Sequence, residues 1–332
     1  MTVAIQAQGL TKTFGETRAL DGIDLDVRTG TVLGLLGPNG SGKTTAVRIF
    51  ATLLQPTSGR ASVAGYDVAR QAAQVRGVIG LTGQTSAVDD HLTGFENLEL
   101  IGRLLNLSRL DARRRAHTLL EHVDLADAAG RLAKTYSGGM RRRLDLAASI
   151  VGRPSVLFLD EPTAGLDPRS RIALWDTIRR LVADGTTVLL TTQYLEEADQ
   201  IADQIAVLDH GQIIARGTAD ELKEQTGGQR LEIRPHDPSR LDDVAAALAA
   251  LTGGVPAVDR DAQLVGVAVD DTFLIAAAVR RLDDAGIAVA DLALRRPSLD
   301  DVFLHLTGHK AEPAPSTSPQ PQGGRRKRRK AA

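Results

Sequence analysis

The hydrophobic positions of this chain follow two spacings that alternate along the sequence. Short runs of consecutive apolar residues occur at 32–36, 78–81, 156–159, 187–190 and 205–208. Such runs, bounded by glycine or polar residues, are typical of strands that are buried on both faces of a sheet. Between most of these runs, apolar residues recur three and four positions apart, which is the spacing of a helix face. The alternation predicts a parallel sheet with crossover helices, and therefore an α/β fold.

The segments on either side of the first apolar run follow other patterns. Residues 3–8, 17–20 and 22–27 read as short strands separated by turns, which predicts an antiparallel β part before the parallel sheet. A turn and a strand are predicted at 56–68. From about 91 to 150 the apolar spacing is helical throughout, which predicts a helical subdomain.

The pattern changes again around residues 226–228. The segment from 230 to 294 predicts strand 230–234, helix 238–251, strands near 255–259 and 263–269, helix 271–285 and strand 287–294. This β-α-β-β-α-β order is that of a small ferredoxin-like α+β domain. The segment 297–301 then predicts the capped start of a last short helix, 302–306. We therefore expect a domain at 1–225 with a helical subdomain at about 86–150, an accessory α+β domain at 226–308, and a disordered tail at 309–332 that is rich in Pro, Ser, Gln and Gly.

Composition narrows the class of protein. The chain has 332 residues, 42% of them hydrophobic, and no cysteine, which excludes disulfides, thiolate zinc sites and a cysteine nucleophile. No apolar run approaches the roughly 18 residues that span a bilayer. The N-terminus lacks the basic and apolar pattern of a signal peptide. These features predict a cytoplasmic protein that reaches a membrane only through a partner.

Charge is distributed unevenly along the chain. The formal net charge is −1, but the run 325–330 contributes six of the 40 basic residues, which leaves 34 basic against 41 acidic residues elsewhere. An acidic body argues against a nucleic-acid-binding surface spread over the fold. The basic run at the end is either a solvated terminus or a segment that contacts anionic lipid at the cytoplasmic face of a membrane.

The strongest chemical motif comes directly after the first buried strand. A glycine, four residues and Gly-Lys-Thr form a phosphate-binding loop when they lie between a strand and a helix. Lys43 is placed to reach the β- and γ-phosphates, and the Thr44 hydroxyl to help hold Mg²⁺. The residues of this loop are Gly37, Pro38, Asn39, Gly40, Ser41, Gly42, Lys43, Thr44 and Thr45.

A pair of acids ends the strand predicted at 156–159. Asp160 and Glu161 therefore lie at the carboxyl end of a buried strand, where α/β sheets bind ligands. In a chain that also has a phosphate loop, Asp160 is expected to hold Mg²⁺. Glu161 is expected to orient and polarise the attacking water, because phosphoryl transfer depends mostly on positioning and charge stabilisation.

A second phosphate-sized concavity is predicted at the start of another helix. Ser137, Gly138 and Gly139 precede a helical run, and two glycines with a serine at a helix N-terminus direct several N–H groups at one anion. Taken alone, this pattern is a common helix cap. A second phosphate site makes sense chiefly if it serves the nucleotide of another molecule.

Together these motifs resemble the ATPase subunits of ABC transporters over roughly residues 3–225. The motifs that carry the resemblance, in order, are Phe14, GPNGSGKTT at 37–45, Gln84, YSGGM at 136–140, VLFLDE at 156–161, AGLD at 164–167 and TTQYLEEAD at 191–199. The resemblance implies a P-loop NTPase fold and a head-to-tail dimer, expected to be a homodimer, that encloses two ATP molecules. A guanine-reading Asn-Lys-x-Asp motif is absent from the sequence, which agrees with ATP.

The resemblance also implies roles for individual residues. Phe14 would stack on adenine, although the alternative of a core or turn aromatic stays open. Gln84 would sense the γ-phosphate and Mg²⁺ near the docking groove for a membrane subunit. Asp167 would belong to the loop that links the two sites across the dimer, and Ser137 to Gly139 of one subunit would close over the γ-phosphate of the other.

One residue departs from the common family pattern. Gln193 stands where most such ATPases have a histidine that touches the γ-phosphate. Glutamine donates a hydrogen bond but carries no charge and relays no proton, so the departure bears on hydrolysis rather than on binding.

The same segment, together with PSLDDVFL at 297–304, resembles the daunorubicin/doxorubicin resistance ATP-binding family. That resemblance implies the ATP-hydrolysing subunit of an exporter, held at the inner face of the membrane by a separate permease. Two alternatives stay open: a soluble ABC-type ATPase that acts on nucleic acid or ribosomes, and a binding protein without turnover.

Overall fold

The computed structural model describes residues 2–83, 87–225, 229–269, 273–295 and 298–307. The strands are β1 (Val3–Phe14), β2 (Thr17–Arg28), β3 (Val32–Leu36), β4 (Ser58–Val63), β5 (Tyr66–Asp67), β6 (Ile79–Thr82), β7 (Val156–Asp160), β8 (Thr187–Thr192), β9 (Gln204–Asp209), β10 (Gln212–Gly217), β11 (Gln229–Pro235), β12 (Ala257–Asp259), β13 (Leu264–Val269) and β14 (Val289–Arg295). The α-helices are α1 (Lys43–Phe50), α2 (Ala72–Val78), α3 (Gly94–Leu104), α4 (Arg109–His122), α5 (Gly138–Ser149), α6 (Pro168–Ala183), α7 (Leu195–Ile201), α8 (Ala219–Gln225), α9 (Leu241–Thr252), α10 (Phe273–Asp284) and α11 (Leu299–Thr307).

The central sheet has six strands in the order β10-β9-β3-β8-β7-β6, and its strands are parallel except for β10 at one edge. Every residue of β3, β7 and β8 is buried. Helices α5 and α6 pack on one face, and α1 together with β1, β2 and β4 packs on the other. Burial on both faces explains why these strands appear as continuous apolar runs rather than as alternating ones. The predicted parallel sheet with crossover helices is confirmed, and its carboxyl edge collects the ends of β3, β7 and β8.

The N-terminal strands form a separate antiparallel sheet in the order β2-β1-β4-β5. The prediction of separate strands at 17–20 and 22–27 is wrong, because β2 is continuous over 12 residues. The buried residues Leu20 and Ile23 are three positions apart, so the alternation of apolar and polar residues in β2 is interrupted between them. The pairing register with β1 shifts at the same place, where Gly22 has a left-handed backbone (φ 73°). A bulge of this kind keeps both side chains on the core face while breaking the sequence pattern.

The helical subdomain consists of α3, α4 and the start of α5. Helix α3 begins with a capping box, in which the Thr93 hydroxyl accepts from the Glu96 N–H and the Glu96 carboxylate accepts from the Thr93 N–H. The apolar faces of these helices join one core with α6 and one side of the central sheet. The predicted helical character of 91–150 is confirmed.

The C-terminal strands form a four-stranded antiparallel sheet in the order β12-β13-β11-β14. This sheet and its two helices form a core of their own, which includes Leu248 of α9 and Ala278 of α10. That core contains no residue of the central sheet. When the four strands are numbered 1 to 4 along the chain, they lie side by side in the order 4-1-3-2, which is the order in a ferredoxin-like β-α-β-β-α-β unit. The predicted small α+β unit is confirmed.

The last helix, α11, does not pack on that small sheet. Leu299, Val302 and Phe303 are buried against α7 and α8, in a cluster that includes Leu36 at the end of β3 and Leu195 at the start of α7. The C-terminal segment therefore returns to the body that carries the phosphate loop. None of the helices in the part of the chain described above is both long enough and apolar enough to span a bilayer. The predicted tail at 309–332 lies outside the described residues.

Candidate nucleotide site

The phosphate loop runs from the carboxyl end of β3 to the first residue of α1. Gly42 has φ 112°, and a Cβ there would lie 2.4 Å from the Ala19 carbonyl oxygen. At Gly37 a Cβ would lie 2.2 Å from the carbonyl oxygen of Leu208. Only glycine fits these two positions, so the loop is held tightly against β2 and the end of β9. No side chain of the described residues caps α1, which leaves its first N–H groups directed at the loop.

Within the loop, Lys43 is 4% exposed, and its Nζ donates to the carbonyl oxygens of Gly37 (2.7 Å) and Pro38 (2.9 Å). Burial lowers the pKa of Lys43, and the negative charges of Glu161 and Asp160 oppose that shift. The ammonium group is therefore within electrostatic reach of both acids. The Ser41 hydroxyl is also buried and has no hydrogen-bond partner among the described residues. A buried cation and an unpaired donor at a helix N-terminus fit a phosphate group.

The first of the two acids lies at the junction of three elements. Asp160 ends β7 and is buried, and its Oδ1 accepts from the Thr191 hydroxyl (2.5 Å) on β8 and from the Thr44 hydroxyl (3.2 Å) on α1. A carboxylate and a hydroxyl at this separation suit Mg²⁺, which prefers oxygen ligands and keeps several waters. The described residues contain no group of three or more His, Cys, Asp or Glu side chains that could hold a metal ion.

The second acid has an unusual backbone conformation. Glu161 has φ 50°, the left-handed region that few residues with a side chain adopt. Its N–H donates to both the carbonyl (3.1 Å) and the hydroxyl (3.2 Å) of Thr191. Observed strain of this kind clusters at functional sites, where the surrounding structure holds it.

The Ser137 segment and Asp167 begin two helices that lie side by side. The Ser137 hydroxyl accepts from the Met140 N–H (3.2 Å) as the N-cap of α5. Asp167 is the N-cap of α6 and accepts from the Ser170 N–H (3.0 Å) and hydroxyl (2.6 Å). These bonds to Ser170 lower the pKa of the Asp167 carboxyl. A Cβ at Gly139 would lie 2.4 Å from the Ser170 hydroxyl oxygen, so the two helix starts are in close contact.

The remaining candidate residues lie at the rim of the site or outside the described residues. Phe14 ends β1, is 47% exposed, and has the Lys12 ammonium 5.0 Å from its ring centroid. Its exposure argues against the alternative of a core aromatic. Phe14 is the last residue of β1 and does not lie in the turn that follows, as the alternative of a turn aromatic would require. Gln193 is half-buried directly after β8, next to the residues that hold Asp160. Gln84 lies outside the described residues.

Two functional candidates were missed by the sequence analysis. Arg142 on α5 bonds to the backbone around Asp160 and Glu161. Glu197 on α7 is 1% exposed, with the Thr192 and Thr163 hydroxyls and the Trp175 indole facing it. Neither has a clear sequence signal, since Arg142 is one of three consecutive arginines and Glu197 reads as an ordinary acid in a first helical turn.

Burial of Glu197 predicts a pH dependence of stability. Burial raises the pKa of its carboxyl from 4.5 to about 7. The folded state therefore binds the proton more tightly than the unfolded state. Stability falls as the pH rises from about 4.5 to about 7 and stays at the lower level above that. Glu197→Gln removes this ionisation, so the variant does not lose stability in this way. Its unfolding free energy minus that of the parent should therefore be about 3 kcal/mol larger at pH 8 than at pH 4.5.

Urea unfolding at the two pH values measures this difference, with Glu121→Gln as the exposed control. The same relative stability of Glu197→Gln at both pH values would contradict the raised pKa of Glu197.

The strand, the glycine loop, the helix N-terminus and the acid pair at the end of β7 together define a P-loop nucleotide-binding protein. Two family models match the chain: "ABC transporter" at residues 20–164 and "ATP-binding protein DrrA1-3-like, C-terminal domain" at residues 217–307.

Curated relatives align along nearly the full length. The daunorubicin resistance ATP-binding protein DrrA3 of Streptomyces coeruleorubidus is 56% identical, covering 92% of this chain and 96% of the relative. The daunorubicin/doxorubicin resistance ATP-binding protein DrrA of Streptomyces peucetius is 51% identical, covering 94% of each chain. A Nod factor export ATP-binding protein I of Ralstonia nicotianae is 36% identical, covering 92% and 94%.

Solved structures agree with the fold. An ATP-binding subunit of an ABC transporter superposes with a TM-score of 0.61 at 27% identity, covering 67% of this chain and 92% of that one. A dimeric ATP-binding cassette in a post-hydrolysis state, bound to ADP and phosphate, superposes with a TM-score of 0.59 at 25% identity, covering 64% and 98%. The chain belongs to the ATP-binding subunits of ABC transporters, in the branch of the daunorubicin/doxorubicin resistance ATP-binding proteins. Its enzymatic activity is ATP hydrolysis, in the service of an exporter.

Proposed function

We propose that this chain hydrolyses ATP to drive export of a drug-like or hydrophobic compound through a separate membrane permease. In this proposal it is cytoplasmic and reaches the inner face of the cell membrane through that permease. The observation that carries the proposal is the cluster of Lys43, Thr44, Asp160 and Glu161 at the carboxyl edge of the central sheet. The relatives named for drug resistance and for export support the choice of transport over other uses of ATP hydrolysis.

Nucleotide binding is assigned to the phosphate loop. Its N–H groups and the helix α1 N-terminus face one anion, and the Lys43 ammonium adds a full positive charge in a buried setting. When phosphate oxygens replace the Gly37 and Pro38 carbonyls as acceptors, Lys43 exchanges two neutral partners for charged ones. That exchange strengthens its hydrogen bonds, because charge-assisted bonds are roughly twice as strong as neutral ones.

Thr44 and Asp160 are the residues that would hold Mg²⁺, and the metal would neutralise charge that develops on the phosphate oxygens. Thr191 keeps Asp160 aligned through its 2.5 Å hydrogen bond. Lys43 and Asp160 therefore approach the phosphates from the loop side and the sheet side of the same site.

Glu161 is proposed to orient the water that attacks the γ-phosphate. Its position one residue after Asp160 places a carboxylate beside the metal-binding acid, on a backbone segment that is held from β8. A carboxylate there accepts a hydrogen bond from water and orients its lone pair, which is the positioning that phosphoryl transfer requires.

A second copy of the chain is proposed to complete each site. Ser137, Gly138 and Gly139 lie at the N-terminus of α5. Gly138 is exposed, and a Cβ placed on it would have no contact within 4 Å. Asp167 joins this helix start to α6 through Ser170, so the cross-site loop and the second phosphate concavity form one surface. The dimeric cassette that superposes on this chain supports a dimer, which we propose is a head-to-tail homodimer with this surface over the partner's ATP.

Three further residues keep their proposed roles. Phe14 is proposed to stack on adenine, which its exposure at the end of β1 permits. Gln193 is proposed to donate to the γ-phosphate from its place after β8, and Gln84 to sense the γ-phosphate and Mg²⁺. We also keep the division into 1–225 for nucleotide, 226–308 as an accessory unit and a tail at 309–332, whose basic run is either a solvated terminus or a segment that contacts anionic lipid.

Co-purification from membranes tests the transport proposal. The tagged full-length chain, extracted in mild detergent from its native membranes, is expected to bring down a polytopic membrane protein in a comparable molar amount. The permease contact should survive Lys43→Ala, because that change affects the nucleotide site alone. Recovery with ribosomes or nucleic acid, and without any membrane protein, would favour the alternative of a soluble ABC-type ATPase.

A further inference from the structure

Arg142 makes four hydrogen bonds to backbone carbonyls of the site, twice as many as Lys43. Its Nε donates to the Pro162 carbonyl (2.7 Å), and its Nη2 donates to the carbonyls of Asp160 (3.1 Å) and Glu161 (2.7 Å). Its Nη1 donates to the Gly83 carbonyl (3.0 Å). One guanidinium therefore joins helix α5 to three consecutive carbonyls at the end of β7 and to the end of β6.

The charge of Arg142 is compensated by acids on several elements. Burial lowers the pKa of the guanidinium, and Asp145, Glu197, Asp160 and Glu161 oppose that shift, in that order. Asp145 and Glu197 are buried on α5 and α7, so acids from two helices surround the group. Asp145, together with Asp160 and Glu161, supplies negative charge near the guanidinium while its N–H groups bond carbonyl oxygens.

The bonds of Arg142 fall on the strained part of the backbone. Glu161 has φ 50°, and two of the three carbonyls that Arg142 bonds there are those of Glu161 and its preceding residue. Thr191 holds the N–H of Glu161 from the opposite side. The peptide units on both sides of the Glu161 Cα are therefore fixed by hydrogen bonds, which sets the direction in which the carboxylate leaves the backbone.

We propose that Arg142 is a positioning residue for Glu161, and that it ties the direction of the catalytic carboxylate to helix α5. This inference rests on the proposed role of Glu161 in orienting the attacking water. Helix α5 also bonds to residues near the end of β6: Arg142 donates to the Gly83 carbonyl, and the Asp145 carboxylate accepts from the Ala87 N–H (3.1 Å). A shift of α5 relative to β7 therefore changes the setting of Glu161.

The substitution Arg142→Lys tests the proposal. Lysine keeps the charge, but an ammonium group lacks the planar fork that reaches carbonyls on two strands. In the purified full-length chain we expect kcat for ATP hydrolysis to fall roughly 10- to 100-fold, since misplacing a reacting group by about 1 Å costs rate on this scale. The KM for ATP and the thermal shift that ATP causes should change less than about threefold, because Arg142 makes none of the phosphate-loop contacts.

Arg115→Lys is the matched control. Arg115 is also half-buried and donates to two carbonyls, those of Ile150 (2.8 Å) and Val151 (3.3 Å), but at the far end of α5 from the site. Its kcat should stay within about twofold of the parent. Arg142→Gln provides a second variant that keeps hydrogen-bond donors without the charge, and its kcat should fall at least as far as that of Arg142→Lys.

The outcomes separate the inference from the proposed function. A parental kcat in Arg142→Lys and Arg142→Gln, with an inactive Glu161→Gln, would overturn the positioning role alone. A parental kcat in Glu161→Gln would instead overturn the role of Glu161 itself. Loss of ATP binding in both Arg142 variants would also overturn the inference, because the residue would then maintain the binding site rather than the direction of Glu161.

Discussion

Glu161→Gln is expected to lower the rate of ATP hydrolysis by roughly 10²- to 10⁴-fold while ATP binding is retained. The amide keeps the size of the side chain, and the backbone bonds of residue 161 to Thr191 and Arg142 do not involve the side chain that changes. What is lost is the negative charge that orients and polarises water. Since this interaction matters mainly in the transition state, the change should appear in kcat rather than in affinity.

The same variant should accumulate as a closed dimer with ATP and Mg²⁺, because hydrolysis no longer opens it. Sedimentation velocity with and without nucleotide measures this, and Glu224→Gln at an exposed position of α8 is the control. A parental hydrolysis rate in Glu161→Gln would remove the assignment of Glu161 as the water-orienting residue.

Lys43→Ala is expected to weaken ATP binding by roughly 100-fold or more, about 3 kcal/mol. Lys43 is the only lysine or arginine in the loop 37–45, and it is buried beside the carbonyls of Gly37 and Pro38. Without it, the loop offers the triphosphate no full positive charge of its own, while Asp160 and Glu161 lose the cation that faces them. Both consequences oppose an anionic ligand.

Equilibrium binding of a fluorescent ATP analogue measures this effect, with Lys134→Ala at an exposed position as the control. Unfolding curves should show that Lys43→Ala remains folded. If the variant binds ATP with parental affinity, the loop is not the site that holds the phosphates.

The sequence predicts those parts of the molecule in which local spacing and chemistry coincide. Buried parallel strands have nearly continuous apolar runs, so β3, β7 and β8 were predicted close to their observed bounds. The phosphate loop is recognisable because Gly37 and Gly42 lie where a Cβ would collide with backbone, which restricts the residue type. The small C-terminal unit is predicted by alternating and helical spacing alone.

Features that depend on contacts between distant segments could not be predicted. The bulge at Gly22 breaks the alternation of β2, so a continuous strand reads as two. Arg142 acquires its partners from β6 and from the end of β7, which lie 59 and 18 to 20 residues away in sequence. Helix α11 reads as the end of the small unit, yet Leu299 and Phe303 pack with Leu36 beside the phosphate loop, because apolar faces do not specify their partners.

Mg²⁺-dependent ATP hydrolysis at a site that two copies of the chain complete is the central claim. The most direct measurement is phosphate release by the purified full-length chain over a range of chain concentrations, with ATP, with and without Mg²⁺. We expect Mg²⁺-dependent release whose rate per chain rises with concentration and then levels off, because in the proposed dimer Ser137 of one copy would complete the Lys43 site of the other. Release that never exceeds that of Glu161→Gln at any concentration would contradict the central claim.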